Sequence, residues 1–198
     1  MPKTVDYCYT LVSPWTYLGD RLFNQIAAKA GAKINHRPVN LGRVFAETGG
    51  LPLAKRSDER RALRMQELRR WRDYRGIKLN LEPKHFPVSD KLAAGIVLAA
   101  IATGKPVSDL AFGYFRAVWA EERDISDPDT AVGIATGAGF DGKALIEISR
   151  APETETKWEA DTDKAIGQGV MGAPFFIIGE EKFWGQDRLE FVERELAK

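Results

Sequence analysis

The stretch that decides the fold is residues 5–22, VDYCYTLVSPWTYLGDRL. Its first half alternates side chains of different polarity and is rich in β-branched and aromatic residues, which predicts a strand ending near Leu11. Ser13 and Pro14 then give a helix-start signal, with Ser as the N-cap and Pro at the first helical position. Apolar residues follow at helical spacing until Gly31. The stretch therefore predicts a strand that leads directly into a helix.

The two ends of the chain complete a sheet. Residues 34–39 predict a second strand, and a helix between two strands makes them parallel with a right-handed crossover. Residues 175–178 form a continuous apolar run, which predicts a fully buried strand. Residues 182–184 predict its hairpin partner, and residues 187–197 predict a terminal helix. A β-α-β opening and a β-β-α close indicate an α/β protein with a thioredoxin-like fold.

The middle of the chain carries only helical signals. The predicted helices start at Ser57, Ser89, Ser108 and Pro128, and two more follow over residues 141–149 and 152–168. We therefore expect a large all-helical insertion over residues 41–139. The thioredoxin-like part then consists of residues 1–40 and 140–198, with the insertion packed against it.

Composition excludes several classes of function. The chain of 198 residues has one cysteine, Cys8, and two histidines, which rules out an intramolecular disulfide, a dithiol redox pair and a zinc site, so we expect no metal. Lys and Arg number 29 against 28 Asp and Glu, so no global field favours nucleic acid or an anionic membrane. We see no secretory signal or membrane-spanning run, and we expect a cytoplasmic protein with a small-molecule partner.

The reactive pair of a thioredoxin-like fold lies where the first strand meets the first helix, because the helix N-terminus stabilises a thiolate. Here that place reads Ser13-Pro14-Trp15-Thr16, so both cysteine positions carry hydroxyl groups. Disulfide exchange by this protein alone is therefore excluded. The Ser13 hydroxyl and nearby backbone N–H groups suit an anion such as a bound thiolate. The alternative is a plain N-cap serine.

Two later segments suit a peptide-like ligand. Pro174 stands before the buried strand where thioredoxins hold a cis proline, so we expect a cis Ala173–Pro174 bond and an Ala173 backbone open to an extended peptide. A trans proline that ends a loop is the alternative. Residues 184–187 open the last helix, where N–H groups favour a carboxylate and Asp187 favours an ammonium. This suits the γ-glutamyl end of glutathione, although an acid in a first helical turn shows the same pattern.

Six motifs spread over the whole chain resemble the 2-hydroxychromene-2-carboxylate isomerase family, a sister of the kappa-class glutathione transferases within the DsbA-like thioredoxin group. In the family's order they are Ser13 to Gly19, Pro38 to Val44, Gly49 to Arg56, Glu67 to Trp71, Gly172 to Phe175 and Trp184 to Leu189. The resemblance implies a glutathione-dependent cis-trans isomerase of aromatic hydrocarbon catabolism, such as naphthalene degradation. It also implies a homodimer, which no sequence feature indicates by itself.

The family's functional residues carry over position by position. Ser13 matches the catalytic serine that holds the glutathione thiol as a thiolate, and Ala173 matches the residue that pairs with the cysteinyl part. The residues implied around the γ-glutamyl end are Trp184, Gly185, Gln186 and Asp187. The implied substrate contacts are Lys55, Arg56 and Phe86. Lys55 departs from the family, in which an amide side chain is common at this position.

The implied reaction converts 2-hydroxychromene-2-carboxylate to trans-o-hydroxybenzylidenepyruvate or acts on a close aromatic keto acid. A thiolate adds to the conjugated double bond, the resulting single bond rotates, and elimination returns the thiol. Two alternatives remain open. One is a kappa-like glutathione transferase or peroxidase that uses Ser13 on another electrophile. The other is a cysteine-less thioredoxin-fold module that binds peptides beside Pro174.

The remaining charged and titratable residues favour structural roles. Residues 55–75 hold nine Lys and Arg against four Asp and Glu, which indicates a solvated face partly lining an anionic-ligand pocket rather than a nucleic-acid surface. No Ser-x-Gly elbow accompanies His36 or His85, so a hydrolase triad is disfavoured. His85 stands beside Phe86 within reach of the pocket. We expect Cys8 to be a small buried hydrophobic residue.

Overall fold

The computed structural model describes residues 2–198, and Met1, the first residue of the predicted thioredoxin-like part, lies outside the described residues. The elements in chain order are β1 (Thr4–Tyr9), α1 (Pro14–Lys29), β2 (Lys33–Pro38), α2 (Leu41–Thr48), α3 (Asp58–Arg75), α4 (Lys91–Ala102), α5 (Ser108–Trp119), α6 (Pro128–Gly137), α7 (Gly142–Ser149), α8 (Pro152–Gly167), β3 (Phe175–Ile178), β4 (Glu181–Trp184) and α9 (Leu189–Leu196). Short 3-10 turns cover Leu53–Lys55 and Gln186–Arg188. This order confirms the predicted fold class.

The sheet has the strand order β2-β1-β3-β4. β1 and β2 are parallel, and β1 and β3 are antiparallel, with Tyr7 opposite Phe176. β3 and β4 form an antiparallel hairpin. All four residues of β3 are buried, as the continuous apolar run predicts, because this strand lies inside the sheet and is covered on both faces. The β-α-β opening and the β-β-α close are therefore confirmed.

Helix α1 lies between the sheet and the helical part of the chain, and it contacts α3, α5 and α9. Its inner face packs against an aromatic cluster in which the ring centroids of Tyr7 and Phe23 lie 4.6 Å apart and those of Tyr7 and Phe176 lie 5.2 Å apart. Burial of such rings is the largest apolar contribution in a core of this kind. The cluster holds the start of α1 at the end of β1.

The helical part is built around α4. Residues 93–100 of this helix are all buried, and α4 contacts α5, α6, α7, α8 and β2. The helical part therefore packs against the thioredoxin-like part, as expected. α7 packs against α4 and α6, and α8 packs against α4, α2 and β2. The division at residue 140 stays a prediction. None of the helices within residues 2–198 is long and apolar enough to cross a membrane.

Helix α2 is an element that the sequence analysis missed. Its N-cap is Asn40, whose side chain accepts the N–H of Arg43 at 3.3 Å, and it ends at Gly49 in the left-handed conformation. Only Val44 is buried in its eight residues. A helix this short is marginal by itself, so its local signal is weak and its packing against α8 stabilises it.

Candidate active site

Ser13 occupies the junction between β1 and α1. It is the N-cap of α1: its Oγ accepts the N–H of Thr16 at 3.1 Å, and its own N–H donates to the carbonyl of Thr10 at 3.1 Å. The side chain is 6% exposed. The first turn of α1 has no acidic residue, so the positive end of the helix dipole is not neutralised there. The hydroxyl therefore lies where a negative charge is stabilised.

The hydroxyl of Ser13 also bridges the fold. It donates to the carbonyl oxygen of Ala173 at 3.3 Å, although the two residues are 160 positions apart. The Ala173–Pro174 bond is cis, which confirms the prediction. An O–H···O bond of this length is longer than the usual 2.7–2.8 Å, so the hydroxyl is free to turn toward a stronger acceptor. The N–H of Ala173 donates to no group among residues 2–198 and remains open to an extended ligand.

Asp90 supports the loop that carries Ser13. Its Oδ2 accepts the hydroxyl of Thr10 and, at 3.0 Å, the N–H of Leu11. Burial raises the pKa of Asp90. The sequence pattern predicts only a helix start at Ser89, and the Asp90 side chain makes no capping bond to α4. Its partners are about eighty positions away, so no local signal could have identified this role.

The turn after β4 lies beside the cis proline. The N–H of Gly185 donates to the carbonyl of Pro174 at 2.9 Å, which joins the turn to the Ser13 and Ala173 pair. Gly185 has φ +102°, and a Cβ there would collide with Oδ1 of Asp187. Trp184 is 52% exposed, and its indole packs over Gly172, where a Cβ would lie 2.8 Å from Trp184 Cε2. Because Gly172 and Gly185 have no side chain, the Trp184 indole and the Asp187 carboxylate lie close to the backbone next to Ala173. We call the surface formed by Trp184, Gly172 and Gly185 the site wall.

Gln186 differs from its neighbours in the turn because it is buried. Its Oε1 accepts a hydrogen bond from Nη2 of Arg75 at 3.0 Å, and its Cβ lies against Gly19, where an added Cβ would be only 2.5 Å away. Asp187 is exposed and lies 3.4 Å from Nη2 of Arg188. Asp187 therefore faces outward with Trp184, while Gln186 fastens the turn to α1 and α3. The predicted glutathione contacts of these residues stay predictions.

The three predicted substrate residues occupy different surroundings. Phe86 is half-buried, and its ring packs on Trp119 with centroids 4.8 Å apart. Arg56 is half-buried, and its Nε donates to the carbonyl of Leu51 at 2.8 Å. Lys55 is exposed and makes no ion pair or side-chain hydrogen bond in the described part of the chain. The Phe86 ring is thus held by a neighbour, whereas the Lys55 side chain has no partner in the described chain.

Arg64 is a neighbour of Phe86 that the sequence analysis did not single out. Its guanidinium carbon lies 5.9 Å from the centroid of the Phe86 ring. Burial, followed by the positive charge of Arg56, lowers the pKa of Arg64 to about 10. Arg56 precedes α3, which begins at Asp58, so no helical spacing relates Arg56 to Arg64, and only the tertiary structure shows that Arg64 lies beside Phe86.

A hollow of about 590 Å³ lies beside Phe86 and includes His85, Asp124 and Ser126. His85 Nδ1 is 3.8 Å from Asp124 Oδ2, while the hydroxyl of Ser126 donates to Asp124 Oδ1 at 2.6 Å. These hydrogen bonds from Ser126 are the main reason that the pKa of Asp124 is lowered. Because Ser126 bonds the acid rather than the imidazole, the three residues do not form a nucleophilic triad.

Cys8 and His36 are titratable groups buried in the core. Burial raises the pKa of Cys8 to about 12, and the thiol is fully buried, as expected for a small hydrophobic residue. Burial lowers the pKa of His36 to about 4; its ring nitrogens lie 3.3 Å from Tyr9 OH and 3.1 Å from Ser108 Oγ. His36 therefore has the structural role predicted for it. None of these contacts reaches Ser13.

Asp20 lies on the buried face of α1 and was also missed. Its Oδ1 accepts the hydroxyl of Tyr7 at 3.0 Å, and its Oδ2 has no partner among residues 2–198. Burial raises the pKa of Asp20 to about 7. The sequence alone predicts an ordinary polar helix residue at this position. The reason is that the aromatic residues that bury Asp20 come from β1 and not from its own helix.

The chain belongs to the family described as the DSBA-like thioredoxin domain, whose model matches residues 4–197. It is 29% identical to 2-hydroxychromene-2-carboxylate isomerase of Sphingobium xenophagum over 99% of both chains. It is 22% identical to glutathione S-transferase kappa 1 of Homo sapiens, covering 100% of this chain and 92% of the relative. A solved 2-hydroxychromene-2-carboxylate isomerase superposes with a TM-score of 0.80 at 24% identity, covering 98% of this chain and 94% of the other. The family resemblance found in the sequence is thus confirmed.

Proposed function

We propose that this protein is a glutathione-dependent cis-trans isomerase that converts 2-hydroxychromene-2-carboxylate to trans-o-hydroxybenzylidenepyruvate, or acts on a close aromatic keto acid. The observation that carries the proposal is the Ser13 hydroxyl at an unneutralised helix N-terminus, hydrogen-bonded to Ala173 beside a cis proline. Full-length similarity to isomerases supports an enzyme of that class.

The residues of the site fit glutathione. A tripeptide needs an anchor for its thiolate, a backbone edge and a place for its amino-acid end. Ser13 supplies a hydroxyl that is held only by a long hydrogen bond, and Ala173 supplies an open N–H and a carbonyl. The Asp187 carboxylate is exposed on the adjoining turn, where it suits an ammonium group. Similarity to a glutathione transferase supports the same ligand.

The protein's own part in the reaction is electrostatic. Glutathione bound here supplies a thiolate that adds reversibly to the conjugated double bond. Ser13 donates its O–H toward the negative charge, and the N-terminus of α1 adds a partial positive charge, so the thiolate forms near neutral pH. Asp90 fixes the loop that aims Ser13. Such preorganised donors need no rearrangement during the reaction.

The substrate side is formed by the predicted contacts. Phe86 presents an aromatic surface backed by Trp119, and Arg56 presents a guanidinium that suits the carboxylate and enolate of a keto acid. Lys55 is exposed, and we propose it as an outer cation that contacts the substrate on the same side. These assignments rest on the family's pattern together with the positions of the side chains.

We further propose that the protein acts as a cytoplasmic homodimer in aromatic hydrocarbon catabolism, with a small aromatic keto acid as its partner. The support for the dimer and the compartment is the family resemblance found in the sequence, and the full-length similarity to isomerases supports the class of enzyme. Sedimentation velocity at micromolar concentration tests the dimer, and a single monomeric boundary would refute it.

A kappa-like glutathione transferase is the second candidate. The similarity to the human kappa enzyme over the whole chain favours it, and Ser13 would hold the same thiolate. The choice of substrate distinguishes the isomerase from the transferase. An isomerase changes the absorbance of 2-hydroxychromene-2-carboxylate with glutathione unconsumed, whereas a transferase consumes glutathione with chlorodinitrobenzene.

The Ser13→Ala variant tests the proposed function. We expect turnover of 2-hydroxychromene-2-carboxylate to fall by about 100-fold, because one preorganised donor to a reacting anion is lost. Stability should fall by only about 1 kcal/mol, the cost of an N-cap. Asp141→Ala is the matched control, since Asp141 caps α7 away from the site and its loss should leave turnover unchanged.

Two results would count against the proposal. Turnover that is unchanged in Ser13→Ala would show that the hydroxyl does not hold the reacting anion. The absence of binding heat in calorimetry with millimolar glutathione would exclude glutathione dependence, and with it both enzyme candidates.

A further inference from the structure

The arginines of α3 and its entry differ in their partners. Arg61, Arg70 and Arg72 each lie against a carboxylate. Arg75 is half-buried and donates to Gln186, whereas Arg56 and Arg64 are half-buried and neither lies within 4 Å of any carboxylate in the stretch 2–198. Two partly desolvated cations without a counter-ion are unusual, because burial of an unpaired charge is costly.

The surroundings of Arg64 leave its guanidinium available. One nitrogen, Nη1, lies 3.9 Å from the sulfur of Met65, and the guanidinium carbon lies 5.9 Å from the Phe86 ring centroid. Both contacts are weak, and neither neutralises the charge. Arg56 is fixed by a single hydrogen bond from Nε to Leu51, which leaves its terminal nitrogens without a partner in the described chain.

Each of the two guanidinium groups also experiences the positive charge of a neighbouring arginine. The positive charge of Arg56 contributes, after burial, to the lowered pKa of Arg64, and the charge of Arg60 contributes likewise at Arg56. A pKa of about 10 still leaves Arg64 charged at neutral pH. An anion bound at Arg64 beside Phe86 would relieve this repulsion and the cost of burying the charge of Arg64. Guanidinium forks match the planar geometry of a carboxylate.

The Phe86 ring indicates which kind of anion suits Arg64. Its ring lies beside Arg64 and rests on Trp119, so a ligand whose carboxylate meets Arg64 has an aromatic surface next to it. A flat aromatic or conjugated body suits this surface better than a compact inorganic ion does, because ring contacts add apolar burial.

We propose that Arg64 is a specificity-determining residue that binds, together with Arg56, the carboxylate of an aromatic acid whose ring packs on Phe86. The inference deepens the proposed function and rests on it for the identity of the natural substrate. It assigns the carboxylate to Arg64 and Arg56, whereas Lys55 is exposed and has no fixed partner in residues 2–198.

Binding of an inert probe tests the inference without turnover. Calorimetry on the whole protein, without glutathione, compares trans-cinnamate with its neutral methyl ester. We expect Arg64→Met to weaken cinnamate binding at least tenfold and to leave binding of the ester unchanged. Arg69→Met is the matched control, because Arg69 is an exposed cation of the same helix, and it should change neither affinity.

A kinetic measurement connects the inference to the reaction. With 2-hydroxychromene-2-carboxylate as substrate, Arg64→Met should raise KM at least tenfold with a smaller change in kcat, and the Kd of glutathione should stay as in the wild type. If the wild type fails to turn over this substrate, the proposed function fails, while the cinnamate and ester comparison still decides the inference.

Four results would overturn the inference. The first is a wild type that does not bind cinnamate, and the second is an Arg64→Met variant that binds it normally. The third is a loss of cinnamate binding caused by Lys55→Met in place of Arg64→Met. The fourth is inorganic phosphate that competes with cinnamate at equal affinity, because this would identify a general anion site without selection for an aromatic acid.

Discussion

Asp20 and His36 should change the free energy of unfolding in opposite directions as the pH changes. Burial raises the pKa of Asp20 from 3.8 to about 7 and lowers the pKa of His36 from 6.5 to about 4. Both side chains lie in the core, with Asp20 1% and His36 9% exposed, so solvent screens neither shift strongly.

The sign follows from proton counting. Between about pH 4 and 6.5 the native state keeps a proton on Asp20 that the unfolded state has lost, so stability falls by about 1.4 kcal/mol per pH unit as pH rises. Over the same window the unfolded state protonates His36 and the native state does not, so stability rises by about 1.4 kcal/mol per unit. Asp20 makes its full contribution to the free energy of unfolding below about pH 4, and His36 makes its full contribution above about pH 6.5. The two slopes cancel.

Single variants should separate the two slopes. Asp20→Asn keeps an oxygen to accept the Tyr7 hydroxyl, and its unfolding free energy relative to wild type should rise by about 3 kcal/mol from pH 4 to 6.5. His36→Gln should show a fall of about 3 kcal/mol over the same window. Urea unfolding followed by circular dichroism at closely spaced pH values measures both.

The control is Asp129→Asn, an exposed acid in the first turn of α6, whose difference from wild type should not vary in this way. A difference for Asp20→Asn that stays constant from pH 4 to 6.5 would refute the reasoning, because it would mean that Asp20 titrates alike in the native and unfolded states.

Two further predictions concern the site wall and the core. Gly172→Ala should displace the exposed indole of Trp184 and weaken glutathione binding in calorimetry with little loss of stability. Gly137→Ala is the control, because its Cβ would lie in open space, and it should leave glutathione binding unchanged. Equal affinities of the two variants for glutathione would contradict the assignment of Gly172 and Trp184 to the site wall. Cys8 should resist alkylation by iodoacetamide at pH 8 until the protein unfolds, because burial raises its pKa to about 12; rapid mass labelling of native protein would show that the thiol is accessible.

Most of the fold could be predicted because its signals are local. The Ser13 and Pro14 pair defines the start of α1, and the apolar run 175–178 defines β3, since capping and burial patterns act over a few residues. Helix α2 could not be predicted in this way, because a helix of eight residues with one buried side chain is stabilised by its tertiary neighbours.

The features of the candidate site also fall into those that the sequence determines and those that only the tertiary structure determines. The sequence by itself determined that a serine caps the first helix where a thiol would stand, that a proline precedes the buried strand, and that no second cysteine exists. The family resemblance implied Lys55, Arg56 and Phe86 as substrate contacts. These features depend on residue type and on neighbours in the chain, so they can be recognised from the sequence without a structure.

Only the tertiary structure decided which side chains surround those features. Asp90 meets Leu11 across 79 positions, Arg75 meets Gln186 across 111, and Ser13 meets Ala173 across 160. Such contacts arise from the crossing of α1 over the sheet and the packing of the helical part against it, and no local pattern encodes them. The unpaired state of Arg64 and the shifted pKa of Asp20 have the same origin, because burial is a property of the surrounding elements rather than of the residue itself.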